Sequence, residues 1–383
     1  MRSIVKGYSS RWMVVVLTIV STLLLWLPFW LRIESLPGWG FDFSSGMETV
    51  FANFDGTNYL IIARSWYDGE YIRNNFSNPL PLEYYPAHLP LYPAIVSVFD
   101  LVMPGTWAML VATLLGSVLA TLAFFKLMKS VGIKNMGWLG VVFLLLPARW
   151  VVVKAVGSPE PWFIAFILMS LVYFREKKYW LAGLFGALAQ LTKSPGILLF
   201  VGYGLYFLIE MWTRKKVEMR KILSAYPLLL MPLAALGLFY FYYLQTGDFW
   251  AYFNSGDNFH LFLPPFSIFA PKGQVWTGEF WLEEIIFIWL IYGLGVMKLW
   301  KKNLKELAVF SGVFFVSTLL VAHRDIARYI LPIFPLVLIG WEEEIRKKEF
   351  KVILLLLVIP ILLYSWNFML NNTMAIDNWG QYL

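Results

Sequence analysis

Between residues 42 and 93 the sequence gathers groups able to take up a proton beside groups able to hold a polar ligand. Asp55-Gly56-Thr57-Asn58-Tyr59 is followed by Asp68-Gly69-Glu70 and by Tyr84-Tyr85-Pro86-Ala87-His88. A carboxylate near its ordinary pKa of ~3.9 is ionised at neutral pH and can accept a hydroxyl proton. Residues 59–63 read as helical, so Asp55 sits at or just before a helix start, where its alternative role is a cap stabilising by ~1 kcal/mol. Asp42, Tyr84, Tyr85 and His88 share the loop and are candidate substrate contacts.

Three further segments place charge next to apolar runs. Ser158-Pro159-Glu160-Pro161 sets a carboxylate at the mouth of an apolar stretch, and Glu160 serves there either as a substrate contact or as a first-turn carboxylate favoured by the helix dipole. Leu191-Thr192-Lys193-Ser194-Pro195-Gly196 interrupts a long apolar stretch with an ammonium that must find a partner or snorkel to water. A phosphate is such a partner. His323-Arg324-Asp325-Ile326-Ala327-Arg328-Tyr329 offers two guanidinium forks suited to phosphate oxygens, although either arginine can instead pair with Asp325. Arg149 and Lys154 fall at the same level and are weaker candidates.

The elements that must position these groups are set by composition. Of 383 residues, 59% are apolar and 14% charged, with a mean hydropathy of +0.65. A soluble domain carries ~25% charge, so most of this chain must face lipid. Cysteine is absent, which excludes disulfides, thiolate metal sites and a cysteine nucleophile. A net charge of +7 could suggest nucleic acid, but the basic residues recur in short clusters between apolar runs and form no single patch.

Eleven runs are long and apolar enough to be candidate spans: 12–31, 107–128, 136–153, 161–174, 180–191, 197–212, 225–243, 282–299, 304–322, 329–341 and 352–370. The first is too long for a signal-peptide core and reads as an uncleaved anchor. A twelfth stretch, 89–103, carries Pro90, Pro93 and Asp100; if it stays at the outer face, 22 of the 31 Lys and Arg fall on the cytoplasmic side, as the positive-inside rule favours. The layout is a single polytopic unit over 1–383, with the N-terminus inside, the C-terminus outside, and outer loops at 32–106 and 244–281. Site chemistry then faces the periplasm, lumen or exterior.

No Walker loop, dinucleotide fingerprint, His-Glu-x-x-His or Asp-x-Asp motif is present, so an activated substrate would arrive on a lipid and not on a nucleotide. The residues taken in order resemble the multi-spanning GT-C glycosyltransferases. The likeness rests on Phe54-Asp55-Gly56-x-x-Tyr59 after a first anchor, Tyr84-Tyr85-Pro86 with Pro90-Leu91-Tyr92-Pro93, Ser158-Pro159-Glu160-Pro161-Trp162-Phe163, Leu191-Thr192-Lys193-Ser194-Pro195-Gly196 and Ala327-Arg328-Tyr329-Ile330-Leu331-Pro332-Ile333-Phe334-Pro335. It is nearest to relatives of the second mannosyltransferase of GPI-anchor synthesis and looser to aminoarabinose and protein-mannosyl transferases. The resemblance implies an all-α integral membrane bundle of about 11 transmembrane helices with juxtamembrane helices in the first outer loop. It also implies inverting transfer of a mannose-like hexose from a polyprenyl-phosphate donor to a glycan, lipid or protein acceptor. In that scheme Asp55 is the base, and Lys193, Arg328 and Arg324 hold the donor phosphate. No cofactor is expected, and a divalent metal is left open. Membrane lipids are the remaining partners, and nucleic acid is not one.

Two other classes fit parts of the pattern. A transporter or flippase of a lipid-linked glycan would need a polar path across the membrane, whereas a structural subunit would need no carboxylate-rich loop beside His88, Tyr84 and Tyr85.

Overall fold

The computed structural model describes residues 2–53, 55–77, 79–214, 223–256, 260–270 and 281–383, with side chains omitted for 2–10 and 214. Phe54, most of the basic cluster at 214–221 and parts of the second outer loop therefore lie outside the described residues. What is described is helical, with no named strand and three isolated bridges.

In chain order the helices are α1 (Arg2–Trp30), α2 (Met47–Phe51), α3 (Gly56–Ser65), α4 (Gly69–Asn75), α5 (Leu91–Asp100), α6 (Gly105–Ser130), α7 (Met136–Leu145) and α8 (Ala148–Val153). They continue with α9 (Glu160–Arg175), α10 (Tyr179–Thr192), α11 (Leu198–Arg214), α12 (Leu230–Thr246), α13 (Leu282–Lys301) and α14 (Lys305–Thr318). The last four are α15 (Ile326–Tyr329), α16 (Phe334–Gly340), α17 (Glu342–Ile345) and α18 (Lys348–Asn371). Five stretches are long and apolar enough to cross a membrane: Arg11–Trp30, Gly105–Ser130, Ser194–Thr213, Tyr226–Thr246 and Lys348–Asn371. Their outer faces are bare of protein cover, as in α18, where Leu355 is 73% and Leu356 66% exposed. Apolar surface of that extent is stable only against lipid.

The shorter helices fill the interior. Residues 158–175 are almost wholly buried, because α9 is packed by α6 on one side and α10 on the other. The α6–α9 crossing is close: a Cβ on Gly116 would lie 2.6 Å from Trp162 Cδ1, and Trp162 Nε1 donates to the Ala112 carbonyl at 2.8 Å. Small residues at such a crossing let the backbones approach. That contact fixes the start of α9, and with it Glu160.

Two expected spans are broken. The run 136–153 divides at Leu146-Pro147 into α7 and α8, and 329–341 divides around Pro332 and Pro335 into α15, a 3₁₀ turn at Leu331–Ile333 and α16. Proline supplies no N–H and turns the preceding residue away from helical backbone. The stretch 89–103 forms α5, ten residues or about 15 Å long, half of what a span needs. It lies against α3 and α6.

The chain's end is part of this layer. Beyond α18, Met374 N donates to the Ala52 carbonyl at 2.9 Å, and buried Asn53 donates to the Met369 carbonyl at 2.6 Å. Arg64 spans the Asp100 carboxylate at 2.7 Å and the Gln381 carbonyl at 2.7 Å. The segment carrying Asp55 is thus held between α6 and the returning tail.

Candidate active site

Asp55 occupies the N-cap position of α3, yet its side chain accepts no capping hydrogen bond. Asp68, at the equivalent position of α4, does cap, accepting from the backbone N–H groups of Glu70 and Tyr71. The Asp55 carboxylate instead turns into a cavity of about 140 Å³, where its Oδ2 stands 3.6 Å from His88 Nε2 and 3.9 Å from Arg328 Nη1. Burial works against its charge, but the contact with His88 and the Arg328 guanidinium outweigh burial and hold its pKa down at about 2. The group is an ionised acceptor at any physiological pH.

Glu160 lies across the cavity with 1% exposure. Its Oε1 accepts from Lys193 Nζ at 2.5 Å and from Arg328 Nε at 2.6 Å, while Ser158 Oγ donates to the other oxygen. The backbone N–H of Ser158 is in turn held by Tyr92 Oη at 3.1 Å and Thr113 Oγ1 at 3.2 Å, so α5, α6 and the α8–α9 turn meet here. Lys193 reaches the cavity because α10 ends there: Pro195 stops the helix, and Gly196 lies where a Cβ would be 2.4 Å from the Gln190 nitrogen. Arg328 reaches it from α15, the segment its two prolines keep short. The sequence offered Arg328 only Asp325 and Lys193 no protein partner; both are paired instead with the same oxygen of Glu160.

A second cavity, of about 780 Å³, shares Asp55, His260, Arg328 and Tyr329 with the first and extends past Tyr84, Arg149, Arg324 and the asparagines 367, 371 and 372. Within it Asp325 accepts from Arg149 Nε at 2.7 Å, leaving Arg328 a contact of 4.0 Å with Asp325. Arg324 is exposed on the wall of this cavity. All three histidines of the chain line the combined space. His260 and His323 are tilted against one another with centroids 4.3 Å apart, and His323 Nδ1 accepts from Asp325 N at 3.0 Å. Burial, His260 and Arg328 push the His323 pKa down to about 3, so this ring is neutral.

Seven of the nine residues singled out from sequence are brought together: Asp55, His88, Glu160, Lys193 and Arg328 around the smaller cavity, with Tyr84 and Arg324 in the larger. Two are not. The 3₁₀ turn Leu82–Ala87 sends consecutive tyrosines to different sides, so Tyr84 tilts over His88 at 5.5 Å while buried Tyr85 faces a separate cleft under residues 374–382. Asp42 lies exposed between buried Phe41 and Phe43 and accepts from Ser44 N at 2.9 Å, closing a local turn. His260, Tyr252 and Tyr329 were not anticipated as lining; the scarcity of histidine in so apolar a chain was the available signal for the first. Tyr252 Oη donates to Ser194 Oγ at 2.6 Å, tying the segment after α12 to the Lys193 turn. Among the described residues no group of three or more His, Cys, Asp or Glu is placed to hold a metal ion.

No protein-family model matches the chain, and no curated protein sequence does. Solved structures do. The crystal structure of ArnT from Cupriavidus metallidurans bound to undecaprenyl phosphate superposes with a TM-score of 0.58 at 16% identity over 90% of this chain and 63% of that one. The apo structure of the same protein gives 0.54 at 16% identity over 91% and 62%. This chain therefore spans less than two thirds of the length of the structures it matches. It has the multi-span membrane fold of ArnT, an all-α bundle in which the segment 32–106, the start of α9 and the end of α10 converge.

Proposed function

We propose that the protein is an inverting glycosyltransferase that takes a sugar from a polyprenyl-phosphate donor and passes it to an acceptor hydroxyl on the outer face of the membrane. The observation that carries this reading is the uncapped Asp55 carboxylate, facing across a small cavity two cations that share one buried counter-ion. The ArnT fold, solved elsewhere with undecaprenyl phosphate bound, supports a lipid-phosphate donor. The sugar is read as a mannose-like hexose, on the motif resemblance alone, and the acceptor as a glycan, lipid or protein.

In this scheme Asp55 takes the proton of the acceptor hydroxyl as that oxygen bonds to the anomeric carbon. The bond from that carbon to the phosphate oxygen breaks in the same displacement, and the phosphate leaves with both electrons. One displacement inverts the anomeric centre. Lys193 and Arg328 stabilise the charge gathering on the leaving phosphate, where preformed cations in a secluded site act most strongly. Arg328 also lies beside Asp55 and keeps it unprotonated. Glu160 holds both cations in place before a donor arrives. His88 orients Asp55, Tyr84 lines the space through which an acceptor enters, and Arg324 on the wall of that space is a further cation for the donor phosphate. No cofactor has a role in this scheme.

The test is direct. Purified protein incubated with a panel of polyprenyl-phosphate sugars, labelled in the sugar, should release polyprenyl phosphate and transfer label from one of them with inverted configuration. Binding of a lipid-linked glycan with no turnover of any donor would instead favour translocation.

A further inference from the structure

The bundle has a second large recess, at the end opposite Asp55. It opens between α1, α6, α9 and α10 and measures about 800 Å³, within the usual size range of ligand pockets. Its wall is apolar, formed by side chains such as Phe125, Phe166 and Phe185, and its rim carries Arg11, Lys126 and Lys129. Met109, which packs against Gly56 beside Asp55, and Lys126 lie on the same helix, separated by about 26 Å along its axis. The recess and the candidate active site thus lie toward opposite ends of the bundle.

The charges at this end of the bundle are not equivalent. Arg175 is satisfied by Glu306, and Lys178 by Glu176 at 2.7 Å. Lys126 lies over the Tyr173 ring at 4.0 Å with Glu176 within its field, so it is positioned along the recess without a close ion pair. Lys129 is exposed and makes no ion pair among the described residues. No carboxylate is among the described residues lining the recess. A lipid-facing apolar slot always holds acyl chain; what is particular here is a rim of three cations with no acid among the described residues that line it.

We infer that this recess is a binding site for an anionic phospholipid, with one acyl chain against the phenylalanine wall and the headgroup phosphate among Arg11, Lys126 and Lys129. Basic pockets between transmembrane helices recognise anionic headgroups in this way, each cation contributing about fivefold. The bound lipid would brace α1 against α6 and α9, the helices that carry the start of α9 and so Glu160. The inference is independent of the proposed reaction.

Full-length protein in detergent, titrated with phosphatidylglycerol or phosphatidylcholine of identical chains and read by native mass spectrometry, tests it. Phosphatidylglycerol should bind on the order of 10²-fold more tightly. The triple variant R11Q/K126Q/K129Q should lose that preference while retaining phosphatidylcholine, whereas a K177Q/K348Q control, altering cations away from the recess, should keep it. Tryptophan-fluorescence unfolding checks that each variant is folded; should the triple variant fail, the single exposed change K129Q should still lower the preference several-fold. Equal binding of the two lipids, a preference surviving in the triple variant, its loss in the control, or its abolition by excess inorganic phosphate would each overturn the assignment.

Discussion

Glu160→Gln removes one negative charge from a group that is 1% exposed and leaves the shape of the side chain intact. In the native site that charge answers Lys193 at 2.5 Å and Arg328 at 2.6 Å, while Ser158 occupies its second oxygen. Breaking a buried ion pair by neutralising one partner costs about 3–5 kcal/mol, because the remaining charge stays desolvated. Two cations are stranded here, but the glutamine carbonyl still accepts one hydrogen bond, and Arg328 keeps Asp55 at 3.9 Å and Asp325 at 4.0 Å. The expected loss is therefore at the lower end, about 3 kcal/mol. Denaturant unfolding in detergent, followed by tryptophan fluorescence, measures it. A double-mutant cycle isolates the pair: Lys193→Met should destabilise the wild type yet cost little in the Glu160→Gln background, with a coupling of about 1.5–3 kcal/mol. A loss below about 1 kcal/mol for Glu160→Gln, or strict additivity in the cycle, would refute the shared-carboxylate account.

Lys193→Ala or Arg328→Ala should weaken binding of polyprenyl phosphate by about 1.5–3 kcal/mol, read by ligand-dependent thermal shift; unchanged affinity in both would leave these cations as partners of Glu160 only. The folded pKa of Asp55 is depressed to about 2, so the stability its ion contacts supply is present above the unfolded value and fades as pH falls from about 4 toward 2. His88→Ala removes one of the two contacts that lower this pKa and should move the acid limb of the turnover profile upward in pH, with activity near neutrality less affected; an unmoved limb would free Asp55 from His88. The orientation read from the basic clusters predicts that an impermeant thiol reagent labels Asp248→Cys, and not Lys178→Cys, in intact cells of this Cys-free chain.

Much of this arrangement is legible in the sequence because a charge in an apolar chain is conspicuous. Lys193 interrupts an apolar stretch and Arg328 begins one, and both lie at one cavity, as the motif order implied. Each run read from hydropathy holds helix, since lipid imposes apolarity without regard to tertiary detail, but 136–153 and 329–341 are interrupted at prolines that the span count overlooked. What local pattern could not supply is pairing through space. Arg328 and Glu160 are 168 positions apart, and no periodicity links them. The same holds for Arg149 and Asp325, and for the tail that returns from α18 to Ala52 and Arg64. Tyr84 and Tyr85 were both candidate substrate contacts, but a 3₁₀ turn rotates neighbours apart, and for Asp42 membership of an acidic loop does not tell which side chains turn inward.

Asp55→Asn bears most directly on the central claim. The structure removes the competing explanation in advance, since Asp55 makes no side-chain cap and asparagine caps about as well as aspartate. The variant should fold, retain polyprenyl-phosphate affinity to within a few-fold, and lose on the order of 10²-fold or more in the rate of sugar transfer, as expected when a positioned base can no longer take a proton. Well-folded Asp55→Asn protein transferring sugar at a near-normal rate would contradict the account.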